Sequence, residues 1–172
     1  MRLDAITLEH FRNYAHQSVT FDPSVNVIVG ENAQGKTNLL EAAVYLSCAK
    51  SPRARTEKEM ISFEADAARL TGSVFSRGRD FTVEIELSRG KRRKMSVNQV
   101  PCKRAGDLSG VLNTVYFCPD DLLLIRDGAA ARRRFMDLSL SQLRPRYDAG
   151  FCRLMLRISP ISASWMMRAE PP

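Results

Sequence analysis

An α/β domain is what this sequence predicts, and three observations predict it. A β-branched run, Val25-Asn26-Val27-Ile28-Val29, stops at Gly30. A stretch without a breaker then runs from Gly35-Lys36-Thr37 to Ser51-Pro52, with Leu39, Ala43 and Leu46 at helical spacing beside Leu40 and Val44. Short runs rich in Val, Ile and Phe follow, separated by turn residues. Strand, helix and strand meander in that order place a helix on a sheet.

The elements follow in order. Residues 3–11, 18–21 and 25–29 read as strands, with Asn13 and Asp22-Pro23 as the turns between them. The segment opening at Gly35 is apolar on more than one face, which predicts a helix buried against a sheet. Residues 69–75, 81–87 and 95–100 predict a strand meander, and 114–118 one more strand. Pro119-Asp120-Asp121 opens a helical stretch, since proline suits a first helical turn, and residues 129–143 predict another helix. The sequence changes character near its end: residues 151–172 hold the only tryptophan, while Pro160, Pro171 and Pro172 break any long helix. The expected division is a domain over 1–154 and a divergent, disordered tail over 155–172.

The 172 residues are 44% hydrophobic and 26% charged, ordinary values that exclude wholesale disorder. No apolar run approaches the roughly 18 residues of a membrane helix. Met1-Arg2-Leu3-Asp4 puts an acid where a secretory signal is apolar. Cys48, Cys102, Cys118 and Cys152 are scattered, with only His10 and His16 to help, so a zinc site is not expected and lone thiols fit a reducing compartment. These features together predict a soluble, cytoplasmic protein. The net charge of +7 is concentrated: residues 51–110 carry 13 basic and 8 acidic side chains. That imbalance points to a polyanionic partner.

The chemistry is carried by Gly30-Glu31-Asn32-Ala33-Gln34-Gly35-Lys36-Thr37, a full G-x-x-x-x-G-K-[ST] pattern between a strand and a helix. Glycines permit close backbone approach, and the loop N–H groups then turn on a β-phosphate at the positive end of the helix. Lys36 reaches the β- and γ-phosphates, and the Thr37 hydroxyl is a ligand for Mg²⁺. Chance produces this pattern in a chain of this composition with a probability on the order of 0.2%. Hydrolysis also needs an acid after a second apolar strand. Asp120-Asp121 and Asp127 imitate that placement, with helix capping and solvated faces as their competing roles.

These motifs, in order along the chain, resemble the amino-terminal part of the RecF family of bacterial replication and repair proteins, whose ATPase head is of the ABC/SMC type. The matching pieces are Leu8-Glu9-His10-Phe11-Arg12-Asn13-Tyr14, the Asn38 that extends Gly35-Lys36-Thr37, Ala49-Lys50-Ser51-Pro52-Arg53, Val97-Asn98-Gln99, Phe117-x-Pro-Asp-Asp-Leu122 and Arg132-Arg133-Arg134-Phe135-Met136-Asp137. Gln99 departs from the family's usual glycine, where a positive φ would cost about 1 kcal/mol. Ala129 departs from a usual proline. From about Leu154 the similarity stops, as in a truncated or frame-shifted chain.

The resemblance implies a P-loop NTPase of ABC/SMC-head type, incomplete, with a first lobe bearing the strand meander and the start of a helical lobe. It implies ATP and Mg²⁺ at residues 30–37 and Asn38, with Arg12 and Asn13 beside the nucleotide. It further implies DNA binding, an ATP-dependent homodimer, RecR and RecO as partners at gapped DNA, and roles in replication restart and SOS induction. The family's Walker B acid and LSGGQ-like signature lie beyond the matched region, so poor hydrolysis is expected. Arg89, Lys91, Arg92, Arg93 and Lys94 cluster where two strands meet, a position for sequence-independent DNA phosphate contacts or, equally, a solvated hairpin tip. For Arg132-Arg133-Arg134 solvation is the favoured role, since consecutive helical residues point different ways. Two rival functions remain open: a stand-alone P-loop kinase, and a fragment whose loop survives without activity.

Overall fold

The computed structural model describes residues 1–108, 110–119 and 128–143. Six strands form one antiparallel sheet: β1 (Arg2–Phe11), β2 (Tyr14–Thr20), β3 (Ala67–Ser76), β4 (Arg79–Ser88), β5 (Lys94–Val97) and β6 (Val100–Cys102), in the order β2-β1-β3-β4-β5-β6. Helix α1 (Lys36–Cys48) and helix α2 (Ala129–Leu143) complete the regular elements, with short 3₁₀ turns at Glu57–Met60 and Ala105–Leu108.

The pleat explains the core. Along β3, residues Ala68, Leu70 and Val74 are buried at period two, and along β4 Val83, Ile85 and Leu87 repeat the pattern. Register pairs Leu70 with Ile85 and Val74 with Phe81, so the apolar rows share a face. Ile6 and Leu8 of β1 and Met95 of β5 extend that face. Eight of the 13 residues of α1 are buried, as its two-faced apolar pattern predicts. Gly72 of β3 belongs to the packing: a Cβ there would stand 2.9 Å from Leu46 Cδ1, so the leucine would have to shift to admit one.

Tight turns set the hairpins. Arg77 and Gly78 join β3 to β4 with φ of 52° and 78°. Asn98 and Gln99 join β5 to β6 with φ of 49° and 66°, the positive pair that primed two-residue turns require. Gln99 therefore carries the strain its departure from glycine implies.

Two expected strands do not form. Residues 25–29 take no regular structure, and Val25, Val27 and Val29 are 76%, 79% and 82% exposed. Residues 114–118 are likewise irregular, with Val115 and Phe117 exposed. A strand exists through cross-strand pairing, and no described residue pairs with either segment. Residues 18–20 belong to a longer strand that begins at Tyr14, with Phe21 just past its end, and 95–100 divide at the Asn98-Gln99 turn. Helix α2 has the predicted bounds. Asp120, Asp121, Asp127 and the tail at 155–172 lie outside the described residues. Among the described residues no helix is long and apolar enough to cross a membrane.

Candidate functional site: the phosphate loop and its arginine ring

Residues 30–35 lead directly into α1, with Gly35 as its N-cap at φ 98°. No side chain caps this helix end. The first-turn amides therefore face the loop that precedes them, with the helix dipole positive at the same place. Gly35 is required twice over. Its φ is left-handed, and a Cβ would lie 2.7 Å from Asn13 Oδ1 and 2.9 Å from the Tyr14 ring. Ala33 takes φ 66° without that freedom. Backbone strain of this kind clusters where a loop is shaped for a ligand.

The β1–β2 hairpin supplies the wall of the loop. Tyr14 Oη donates to the Gly35 carbonyl at 3.1 Å, and burial pushes its phenol upward, so the hydroxyl stays a donor. Asn38 Nδ2 donates to Asn13 Oδ1 at 2.8 Å. Lys36 Nζ donates to the carbonyls of Gly30 at 2.6 Å and Glu31 at 2.5 Å, which places the ammonium at the mouth of the loop. Thr37 is exposed on the first turn beside it, and Glu31, Asn32, Ala33 and Gln34 are exposed along the loop.

Beneath the loop lies a carboxylate that the sequence reasoning passed over. Glu41 is fully buried. Its Oε1 accepts from Arg12 Nη2 at 2.8 Å and Ser51 Oγ at 2.5 Å, and its Oε2 accepts from Arg12 Nε at 3.0 Å. Arg53 Nη1 stands 3.5 Å from Oε2 and donates to Asn38 Oδ1 at 2.9 Å. A signal was available: a lone acid in the apolar stretch of a buried helix must be paired. Arg12 itself takes φ 55°, held by its N–H to the Met60 carbonyl and by Ser62 Oγ donating to its carbonyl.

The basic cluster at 89–94 divides. Arg89 donates to the carbonyls of Ala65 at 2.9 Å and Ser62 at 3.1 Å, which fixes the strand end. Arg93 is half-buried, pairs with Glu57, and donates to the Ala49 carbonyl at 3.0 Å. Glu57 also accepts from Tyr45 Oη at 3.2 Å, and burial raises the Tyr45 phenol strongly. Lys91, Arg92 and Lys94 are exposed; Arg92 reaches the Lys103 carbonyl at 3.2 Å and Lys94 stands 3.5 Å from Glu86. Arg132 and Arg133 are exposed on α2.

Comparison with known proteins agrees with this geometry. A family profile described as an AAA domain matches residues 5–134. The DNA replication and repair protein RecF of Halalkalibacterium halodurans is 44% identical over 147 residues, covering 86% of this chain and 39% of the relative. That of Listeria innocua is 43% identical over 148 residues, covering 86% and 40%. The chain thus spans well under half the length of the curated relatives it matches. A solved structure of the recombination mediator RecF with ATP, in the RecFOR pathway, superposes with a TM-score of 0.81 at 32% identity, over 89% of this chain and 40% of that one. An SMC ATPase studied for ATP-driven dimerization matches with a TM-score of 0.64 at 16% identity, over 79% of this chain and 98% of that one, and so shares the fold. The architecture is that of a P-loop ATPase head of ABC/SMC type, with the described sheet as its antiparallel part.

Proposed function

The chain belongs to the AAA domain family and is homologous to the amino-terminal part of RecF, and from that premise we propose that its phosphate loop binds ATP with Mg²⁺ in a RecF-like DNA repair protein. The observation that carries this is the fit at Gly35, where the left-handed φ and the contacts of Asn13 and Tyr14 leave room for backbone alone. Lys36 and the uncapped amides of α1 suit the phosphates, and Thr37 and the phosphate oxygens suit a hard cation. Asn38, Arg12 and Asn13 close the site on the hairpin side. Thr37 would hold Mg²⁺, which would supply charge neutralisation at the phosphates. The chain's own residues hold and orient the phosphates.

DNA is the proposed macromolecular partner, with RecR, RecO and an ATP-dependent second copy as proposed assemblies at gapped DNA, and replication restart, SOS induction and a cytoplasmic location as the proposed setting. Exposed Lys91, Arg92 and Lys94 are the cluster members available to phosphates, and the salt dependence of DNA binding separates the contact reading from the solvated-tip reading. Hydrolysis by this chain is proposed to be weak, because Asp120, Asp121 and Asp127, which imitate the placement of a water-polarising acid, stand in sequence contexts that favour capping and solvation. The kinase reading loses ground to the wholly antiparallel sheet, which has no βαβ crossover among the described residues.

A thermal-shift titration tests the proposal. Mg·ATP at about 100 times its dissociation constant should stabilise the full chain by about 2.7 kcal/mol. Lys36→Ala should remove that shift while leaving the ligand-free melting temperature in place. No shift in the parent chain would refute nucleotide binding. For DNA, three engaged phosphates give a slope of log affinity against log salt of about −2.7, which charge reversal of Arg92 should flatten.

A further inference from the structure

Two tyrosine hydroxyls stand at opposite ends of α1. Tyr45, in the last turn, donates to Glu57 at 3.2 Å and is buried. Tyr14, on the β1–β2 hairpin, donates to the carbonyl of Gly35, the N-cap residue, at 3.1 Å. The hairpin that carries Tyr14 is tied down on several sides. Phe11 pairs with Tyr14 across it, Arg12 forks onto the buried Glu41, and the Arg12 N–H bonds the Met60 carbonyl at 2.8 Å. The phenol therefore reaches the phosphate loop from a fixed frame.

The Gly35 carbonyl takes three donors. The N–H groups of Asn38 and Leu39 reach it at 2.7 and 3.1 Å as the first bonds of the helix, and Tyr14 Oη adds a third from outside the helix. Glycine at a left-handed φ of 98° leaves this peptide freer to turn than any other residue would, because no Cβ restricts it. A planar trans peptide points its C=O and its N–H in opposite directions, so a bond that fixes the Gly35 carbonyl also aims the Lys36 N–H. Among the described residues, no acceptor bonds the N–H groups of Lys36 and Thr37. They are the orphan donors of the helix end, left for an anion.

We infer that Tyr14 is a positioning residue for the nucleotide: its hydroxyl holds the Gly35–Lys36 peptide so that the Lys36 amide faces the β-phosphate. The inference rests on the nucleotide-binding reading above and adds to it a side chain that shapes the phosphate cradle from behind. Tyr14 acts through Gly35. An amide already aimed loses no freedom when the ligand arrives, which is the gain of preorganisation. The β-phosphate is common to ATP and ADP, so both nucleotides feel the hydroxyl equally.

Calorimetric titration of the full chain with Mg·ATP and Mg·ADP tests this. Tyr14→Phe keeps the ring against Gly35 and removes only the donor. It should weaken both nucleotides by about fivefold, the scale of one neutral hydrogen bond. Tyr45→Phe deletes the other hydroxyl and should leave both affinities within about twofold of the parent. Unchanged affinities in Tyr14→Phe, with or without a lower melting temperature, would make Tyr14 a structural contact and overturn the inference. A loss confined to ATP would overturn it too, because the amide would then not serve the shared phosphate. So would an equal loss in Tyr45→Phe, which would trace the effect to the helix as a whole. If the parent chain binds neither nucleotide, and Lys36→Ala changes nothing, the nucleotide reading falls and the inference with it.

Discussion

Strand β3 and residues 25–29 are both expected strands with opposite fates. Residues 25–29 are β-branched at four of five positions, and β3 only at Thr71 and Val74. In β3, Leu70 and Val74 are fully buried, and the strand pairs along its length with β1 and β4. In the other segment Val25, Val27 and Val29 stand in solvent with no partner among the described residues. The difference teaches that β propensity is a capacity for pairing, and that burial follows from the partner.

The comparison is easiest to break at its buried side. Leu70→Ala should cost about 2–5 kcal/mol, because the residue is fully enclosed and its site cannot collapse around the loss. Val27→Ala, 79% exposed, should change stability by less than about 0.5 kcal/mol. Chemical denaturation of the two variants measures both. Comparable losses would mean that the valine segment is covered in solution.

A glycine beside the phosphate loop gives the next largest effect. Gly35→Ala forces a Cβ against Asn13 and Tyr14 at a left-handed φ, so it should cost at least about 1 kcal/mol and abolish the ATP-dependent thermal shift. Gly78→Ala, where nothing lies within 4 Å of the added atom, should show only the φ penalty and keep the shift. If both variants retained ligand binding, the close approach of the hairpin would have no role in the site.

Smaller effects come from turns and caps at the surface. Gln99→Gly should stabilise the chain by about 1 kcal/mol or less, relieving the left-handed φ of 66° at the Asn98-Gln99 turn. The smallest concerns pH. Glu59 is held below its ordinary carboxylate value by the Thr56 hydroxyl, then by the Arg55 and Thr56 N–H groups, in a capping box at the 3₁₀ turn. A depressed carboxylate stabilises the fold above its unfolded value of 4.5, and that contribution fades as pH falls below it. Glu59→Gln should lower the neutral plateau slightly, leave the acid end nearly unchanged, and so flatten the acid limb of a stability-against-pH curve.

Much of the molecule was legible in the sequence for a local reason. The phosphate loop is written in contiguous residues, and glycine at position 35 is demanded by the backbone that the pattern encodes. Period-two burial in β3 and β4 and the span of α2 follow from patterns a few residues long. The Asn98-Gln99 turn came from the family resemblance, since the local pattern reads residues 95–100 as one strand. Tertiary structure decided what depends on residues far apart in the chain. Whether residues 25–29 become a strand depends on a pairing partner that no local pattern names. The division of the 89–94 cluster, with Arg89 and Arg93 spent on Ser62, Ala65, Ala49 and Glu57, depends on which carbonyls and carboxylates the fold brings near. The Glu41 ring joins positions 12, 38, 41, 51 and 53 across the hairpin, α1 and the loop that follows it. A buried charge has to be matched in space, and spatial neighbours are settled only when the helix lies down on the sheet.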